Sequence, residues 1–358
     1  LYFSLFLLYY TFHGEKQFLI ISSLREPFMG VLHNFITGAM LLVSAAISVW
    51  TAGAIYFDVC GGTKWGRWVA LCWVVGVIAL FVIWQPIWQP FIVLLGFFVL
   101  ILGWWLRQKP RQDRDWDPAV ALLPRAVRDG DVITIENVRN FEYRSLEDFT
   151  LRYETRTYHL DNLTAVDAIF FNWGSAIMSH PVLVFDFGPD GRMCISIEVR
   201  YQKNQKYLIL RSLFHYYEII FLVADERDAI LRRTKCAPSQ EAHLYRLVTT
   251  PEDRRATFLD YVHEINSLHE TPRWYNGLCM NCTTTFYRLP SRQRRCDWRV
   301  LANARLDRAL YSAGRLDQSM PFPELRRCAF LTDIANSAPA EGFGDHIRCE
   351  LERRRHDR

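Results

Sequence analysis

At 358 residues, with 42 Lys and Arg against 38 Asp and Glu, the chain carries a formal net charge of +4. That excess is small, and no RNA- or DNA-binding motif accompanies it, so nucleic acid is not an expected partner. Nine cysteines at irregular spacing make no disulfide framework. Charged residues are scarce up to Leu106 and dense from Arg107 onward, the pattern of a membrane anchor followed by a domain with its own core.

Residues 1–24 are apolar but interrupted by Glu15 and Lys16, so composition leaves a span there open. Pro27 to Phe57 contains no charged residue and exceeds the ~20 residues that cross a bilayer. Trp68–Trp84 and Phe91–Leu106 are two further uncharged runs, separated by Gln85-Pro-Ile-Trp-Gln-Pro90. Each would be roughly 25 Å of helix against a hydrocarbon core of about 30 Å, and the two prolines favour a tight hairpin between them. Tryptophans 65, 68, 84, 88, 104 and 105 gather at the ends of these runs, as an aromatic belt would. Three spans are expected. Arg107, Lys109, Arg111 and Arg114 follow the last of them and, by the positive-inside rule, point that side toward the cytoplasm.

In the remainder, Val132–Val138 and Tyr153–Leu160 read as strands, and Ala165–Trp173 has too little pattern to assign. Pro181–Phe187 and Cys194–Tyr201 are β-rich runs joined by Gly188-Pro-Asp-Gly191, a hairpin signal, with His180 at the entrance of the first. Along the second, Cys194, Ser196, Glu198 and Arg200 share one face and Ile195, Ile197 and Val199 the other. A face carrying Glu198 and Arg200 is expected to line a site. Tyr216–Val223 suits a strand or an apolar helix, and Ala224–Asp228 a helix start whose charges form a solvated cap. Pro251–Leu268 is a helix by its N-terminal Pro and its apolar spacing.

That helix leads into Pro272–Pro290, with Trp274-Tyr-Asn-Gly277 as turn chemistry and Gly277 suited to left-handed backbone. Asn281 would cap a short helix running to Leu289, with Cys282 in its first turn. Unpaired N–H groups and the helix dipole there favour a thiolate. Cys279 and Cys282 also make a C-x-x-C, so a redox pair and plain core packing stand beside the nucleophile reading. Zinc would need a second pair at suitable spacing, and Cys236, Cys296 and Cys328 are isolated; no metal and no cofactor are expected. A thiolate needs a base and the base an orienting group, which His180 and Glu198 could supply for Cys282. A turn histidine and a Glu198–Arg200 salt bridge are the plain alternatives.

In combination, Arg114-Asp-Trp116, Asn137-Val-Arg-Asn-Phe141, Ser179-His-Pro-Val-Leu-Val-Phe-Asp-Phe187, Ile195-Ser-Ile-Glu-Val-Arg200, Asp225-Glu-Arg-Asp228 and Asn281-Cys-Thr-Thr284 resemble the bacterial Lnb-type family of lipoprotein N-acyltransferases and their membrane-anchored relatives. The resemblance covers about residues 113–290. It implies an α+β fold in which transmembrane helices precede a permuted papain-like domain, similar to lecithin:retinol acyltransferase, with an antiparallel sheet. The expected domains are a transmembrane anchor over 1–107, a catalytic domain over 108–290 and an Arg-rich extension over 291–358 packed on it. The expected function is transfer of an acyl chain from a membrane phospholipid, through a Cys282 thioester, to the α-amino group of a lipoprotein's diacylglyceryl-cysteine, in ping-pong fashion. Cys282 and His180 match the family's nucleophile and base; Glu198 belongs to the Ser-x-Glu-x-Arg strand. Asn281, Ser196 and Tyr275 are expected as oxyanion or supporting groups, and Arg200 and Arg139 on the substrate. Partners would be phospholipid, lipoprotein and membrane, with the oligomeric state unassigned. Cys279 departs from the family's pattern and opens an inhibitory disulfide in an oxidising compartment. The resemblance also implies a bacterial inner-membrane, multi-pass protein with its catalytic domain in the periplasm, against the positive-inside signal; a large translocated domain can override local charge. A thiol hydrolase on the same residues (phospholipase, lipoprotein deacylase or peptidase) and a non-enzymatic membrane assembly factor are the rival readings.

Overall fold

A computed structural model describes residues 16–173, 179–237, 240–278, 280 and 306–356. The chain divides into two compact units, Leu1–Gln108 and Lys109–Arg358.

In the first unit, α1 (Lys16–Ala54) continues as a wider π turn through Val59, and α2 (Lys64–Ile83) and α3 (Trp88–Arg107) follow. Phe28–Val59, Lys64–Ile83 and Trp88–Arg107 are each long and apolar enough to cross a membrane. The second and third start earlier than the uncharged runs suggest. Thr63 accepts the Gly66 N–H and caps α2 ahead of its first charges, so each helix reaches 20 residues, about 30 Å. Large aromatics make the contacts between helices: Trp50 meets Phe98 and Trp105 edge-on, and Trp73 meets Phe97. The Trp105 indole N–H donates to Asp58 at 2.7 Å, which gives one carboxylate near a span end a polar partner.

The second unit is a mixed α/β domain built on one sheet. Its strands are β1 (Arg125–Asp129), β2 (Val132–Arg139), β5 (Tyr153–His159), β6 (Ala165–Trp173), β7 (Ser179–Asp186), β8 (Arg192–Arg200), β9 (Glu218–Asp225) and β10 (Gln240–Arg246); β3 (Glu142–Tyr143) and β4 (Phe149–Thr150) make a separate small ribbon. The order is β1-β2-β9-β8-β7-β6-β10, with β5 also pairing β2. Neighbours are antiparallel except β2 and β9, which touch in parallel at Arg139 opposite Ala224. Ala165–Trp173, which the sequence left unassigned, is the strand between β7 and β10. It reads as a nearly continuous apolar run because both of its faces are covered.

The period of two sorts side chains between two clusters. Leu183, Phe185, Ile195, Ile197 and Phe221 face the larger one, against Phe258, Tyr261 and Ile265 of α5 (Pro251–Glu270). Phe185 and Phe187 meet Phe258 edge-on with centroids 5.2 and 5.0 Å apart, a favoured aromatic geometry. Val182, Val184 and Cys194 face the smaller cluster, against Ala229 and Ile230 of α4 (Glu226–Thr234). Chain beyond residue 305 contributes α6 (Leu306–Ser312), α7 (Phe322–Cys328), α8 (Thr332–Ser337) and α9 (Phe343–His356), with Leu306 and Leu310 in the first cluster and Ile334, Ile347 and Leu351 in the second.

Two local expectations are corrected. Asp225 does cap α4, accepting the Arg227 N–H, but Glu226 and Asp228 are buried, not a solvated cap. Arg348 of α9 reaches Glu226 and Asp167, and Arg139 reaches Asp228. Gly277, in turn, is not left-handed. Its N–H donates to the Ser212 carbonyl at 2.9 Å, and a Cβ there would collide with the Ser212 hydroxyl, so closeness of approach is what requires glycine.

Candidate functional site

His180 and Ser179 open β7, and Ser196 and Glu198 stand near the end of its hairpin mate β8. By strand parity His180, Ser196 and Glu198 fall on the α4 side of the sheet. The imidazole Nε2 lies 2.7 Å from Ser196 Oγ and 3.2 Å from Glu198 Oε1. Ser196 donates its hydroxyl proton to Glu198 Oε1. The sequence separates His180 from Ser196 by 16 positions and one tight connection, Gly188–Asp190, with Glu198 two residues further on the same strand face.

A fourth member was not singled out in the sequence. Arg233, the penultimate residue of α4, donates to Glu198 Oε1 and lies 3.1 Å from His180 Nε2. Its guanidinium sits over the Phe171 ring, 5.0 Å from the centroid, and also donates to the Ala229 carbonyl. Burial alone would raise the Glu198 carboxyl, but the Arg233 charge and then His180 outweigh it and hold it well below the usual carboxylate range. Glu198 is therefore an anion that three groups share. Because Ser196 gives its proton to Glu198, its contact with Nε2 is made when that nitrogen carries a proton, whereas the Arg233 contact is made when it does not.

The remaining expected residues fall elsewhere. Arg200 is buried, donating to the Val120 and Ala121 carbonyls and to Gln112, with its guanidinium 4.1 Å from the centroid of Trp116. Arg139 is fully buried and grips Asp228 through Nε and a terminal nitrogen at 3.0 and 2.6 Å. The donors of both serve acceptors within the same unit, and withdrawing them would leave those acceptors orphaned. Tyr275 belongs to the cluster on the α5 side of the sheet, its N–H on the Tyr217 carbonyl, so it does not meet the His180 group there. Asn281, Cys282 and Cys279, with the helix expected to Leu289, lie outside the described residues. Asn276 and Met280 exchange backbone hydrogen bonds just before them. Among described cysteines, Cys194 is nearest in sequence to this cluster, and burial pushes its thiol well up, which suits packing and not nucleophilic attack. No group of three His, Cys, Asp or Glu that could hold a metal occurs among the described residues.

The arrangement can orient an imidazole, stabilise its protonated form with a buried carboxylate, and keep that carboxylate charged with an arginine. No curated protein and no solved structure matches the chain. Residues 149–304, less than half of the chain but including His180, Ser196, Glu198 and Arg233, match the family model described as the Lnb N-terminal periplasmic domain, which bears out the resemblance to the Lnb-type family over that segment.

Proposed function

We propose that the protein is a lipoprotein N-acyltransferase with a Cys282–His180 site. The observation that carries the reading is the His180–Ser196–Glu198–Arg233 cluster, lying within the segment that matches a periplasmic domain, on a chain with three candidate spans. Both substrates of such an enzyme are bilayer lipids, and a tethered domain meets them without leaving the membrane surface.

The chemistry runs in two balanced halves. A Cys282 thiolate attacks the ester carbonyl of a phospholipid; the C–S bond forms, the C–O bond breaks, and imidazolium His180 gives its proton to the departing lysophospholipid alkoxide. The α-amino group of a diacylglyceryl-cysteine then attacks the thioester; the C–N bond forms, the thiolate leaves, and His180 takes the amine proton. With Nε2 turned to Ser196 and Glu198, Nδ1 is the nitrogen that exchanges protons with the thiol. The Cys282 N–H and the Asn281 side chain would serve the oxyanion. Glu198 stays ionised through the cycle and balances the imidazolium.

The fold reading that accompanies this is a permuted papain-like domain, catalytic over 108–290, with 291–358 as an extension packed on it. The topological setting is a multi-pass inner-membrane protein with that domain in the periplasm. The test is intact-mass analysis of the full chain after exposure to phospholipid nanodiscs. A gain of one acyl chain that hydroxylamine removes, and that Cys282→Ala abolishes, is expected; an unchanged mass overturns the acyl-carrier reading. Adding a diacylglyceryl-cysteine peptide should convert the adduct to triacylated peptide, whereas release of free fatty acid alone would make the protein a thiol hydrolase.

A further inference from the structure

Among the described residues of the second unit, the segment between β8 and β9 carries the longest run of exposed large apolar side chains. Tyr207, Leu208, Ile209 and Leu210 are 36, 46, 52 and 60 % exposed, and Leu278 is 67 % exposed. These are one patch in space. The Gly277 N–H is bonded to the Ser212 carbonyl, which ties the Leu278 turn to the short helical turn Ile209–Leu213. Below the patch, Tyr207 stacks on Tyr217, whose hydroxyl donates to the Lys206 carbonyl and accepts the Leu208 N–H, and Tyr207 meets Tyr275 edge-on. A bonded aromatic floor therefore holds four apolar side chains outward, where water would otherwise favour their collapse.

Three further facts select the occupant. From Tyr201 to Tyr217 the chain has Lys203, Lys206 and Arg211 and no Asp or Glu, so the rim is cationic. The same end of the unit also receives the chain from the last span. Arg111, four residues after α3 ends, donates its N–H to Glu218 at the start of β9, and Trp116 and Asp115 pair with Gln202 and Lys203 at the start of the exposed segment. Finally, His180 at the start of β7 and Glu198 near the end of β8 mark that end of the sheet as the site's end.

We infer that Tyr207–Leu210 and Leu278 form a membrane-docking surface that inserts into a lipid leaflet, with Lys203, Lys206 and Arg211 at the level of anionic headgroups. Apolar tips on such a surface reach about 5–10 Å into the headgroup and acyl boundary, and basic residues near an anionic leaflet add electrostatic attraction. Docking of this kind would fix the His180 end of the sheet at the lipid surface. It goes beyond the acyl-transfer reading and does not depend on it.

The test uses the full chain in nanodiscs of phosphatidylethanolamine and phosphatidylglycerol. Photoreactive p-benzoylphenylalanine is placed at Leu210 or Leu278, and at Val127 or Val248, which are as exposed but lie outside the patch. After irradiation, intact mass is read for lipid adducts. Adducts at Leu210 and Leu278 should exceed those at Val127 and Val248 by roughly ten-fold. Replacing Lys203 and Lys206 by Glu should lower the Leu210 adduct in these discs and leave it unchanged in discs of phosphatidylcholine alone. Equal adducts at all four positions, or cross-links from Leu210 that join two copies of the chain, would overturn the inference. None of these readouts needs an active Cys282, so docking can fail while the acyl-transfer reading stands, and the reverse.

Discussion

Two buried arginine–carboxylate systems hang on the same short helix, α4, and they are built for different ends. In the first, Asp228 receives Arg139 through two nitrogens, the Phe141 N–H at 2.6 Å and the Tyr143 hydroxyl at 3.3 Å. Both partners are at 0 % exposure, and burial pushes the Tyr143 phenol up to about 12. The Arg139 guanidinium is likewise raised and neither it nor the phenol gives up a proton near neutral pH, so the pair holds the β2 end against α4. In the second, Arg233 meets Glu198 in the company of an imidazole and a hydroxyl. The added groups are the kind that can move a proton. A buried ion pair alone is weak evidence of function; the titrating neighbour makes the difference.

The contrast predicts opposite consequences for similar substitutions. Asp228→Asn should cost about 3–5 kcal/mol, since it leaves the Arg139 charge uncompensated in the core. A melt of the full chain in detergent should show a large loss of Tm, with the acyl-adduct assay failing only through unfolding. His180→Asn should do the reverse, lowering adduct formation by about 10²–10⁴-fold while the melt moves little. If Asp228→Asn melts like the parent, or His180→Asn unfolds the protein, the division between a structural and a working pair collapses. Ser196→Ala should act more gently, by about five- to ten-fold in adduct rate, the value of one net hydrogen bond of about 1 kcal/mol. Because Ser196 would act by positioning the imidazole, Ser196→Thr should restore most of the loss. An adduct rate that Ser196→Ala leaves unchanged would remove the hydroxyl from the arrangement.

The two systems also differ in how far the sequence revealed them. His180, Ser196 and Glu198 were legible because a hairpin joins them, and the period of two alone assigns them to one face. Arg233 was not, since it arrives from a helix 35 residues beyond Glu198, and nothing in its spacing distinguishes it from Arg232 or Arg227. That Arg139 and Arg200 are buried on acceptors of the same unit was not legible either, because membership in a shared motif says nothing of burial. Glu226 and Asp228 looked solvated because their partners lie 122 and 89 positions away. The sheet itself was readable wherever strands alternate or end in turn residues, and unreadable at Ala165–Trp173, whose two covered faces remove the alternation. The spans were clear from composition, but the start of α2 is set by a cap at Thr63 that the charge count could not weigh.

A second buried imidazole sharpens the comparison with the smallest effect. His243 of β10 lies among Tyr245 and Phe330, and its Nδ1 has no hydrogen-bond partner among the described residues. The Asp307 carboxylate, on which the Tyr245 hydroxyl donates, is also bound by Arg326. Burial first, and the Arg326 charge second, lower the His243 pKa from 6.5 to about 3. An unfolded His243 takes up a proton below pH 6.5 and the folded one does not, so the unfolded state binds more protons between those values. Stability must then fall as pH drops from 6.5 toward 3, by up to about 1.4 kcal/mol per pH unit. Urea unfolding of the parent and of His243→Gln across pH 4 to 7 should differ in slope by that amount at most, with the variant flatter. A His243→Gln curve as steep as the parent's would mean that burial of this ring does not penalise its protonated form.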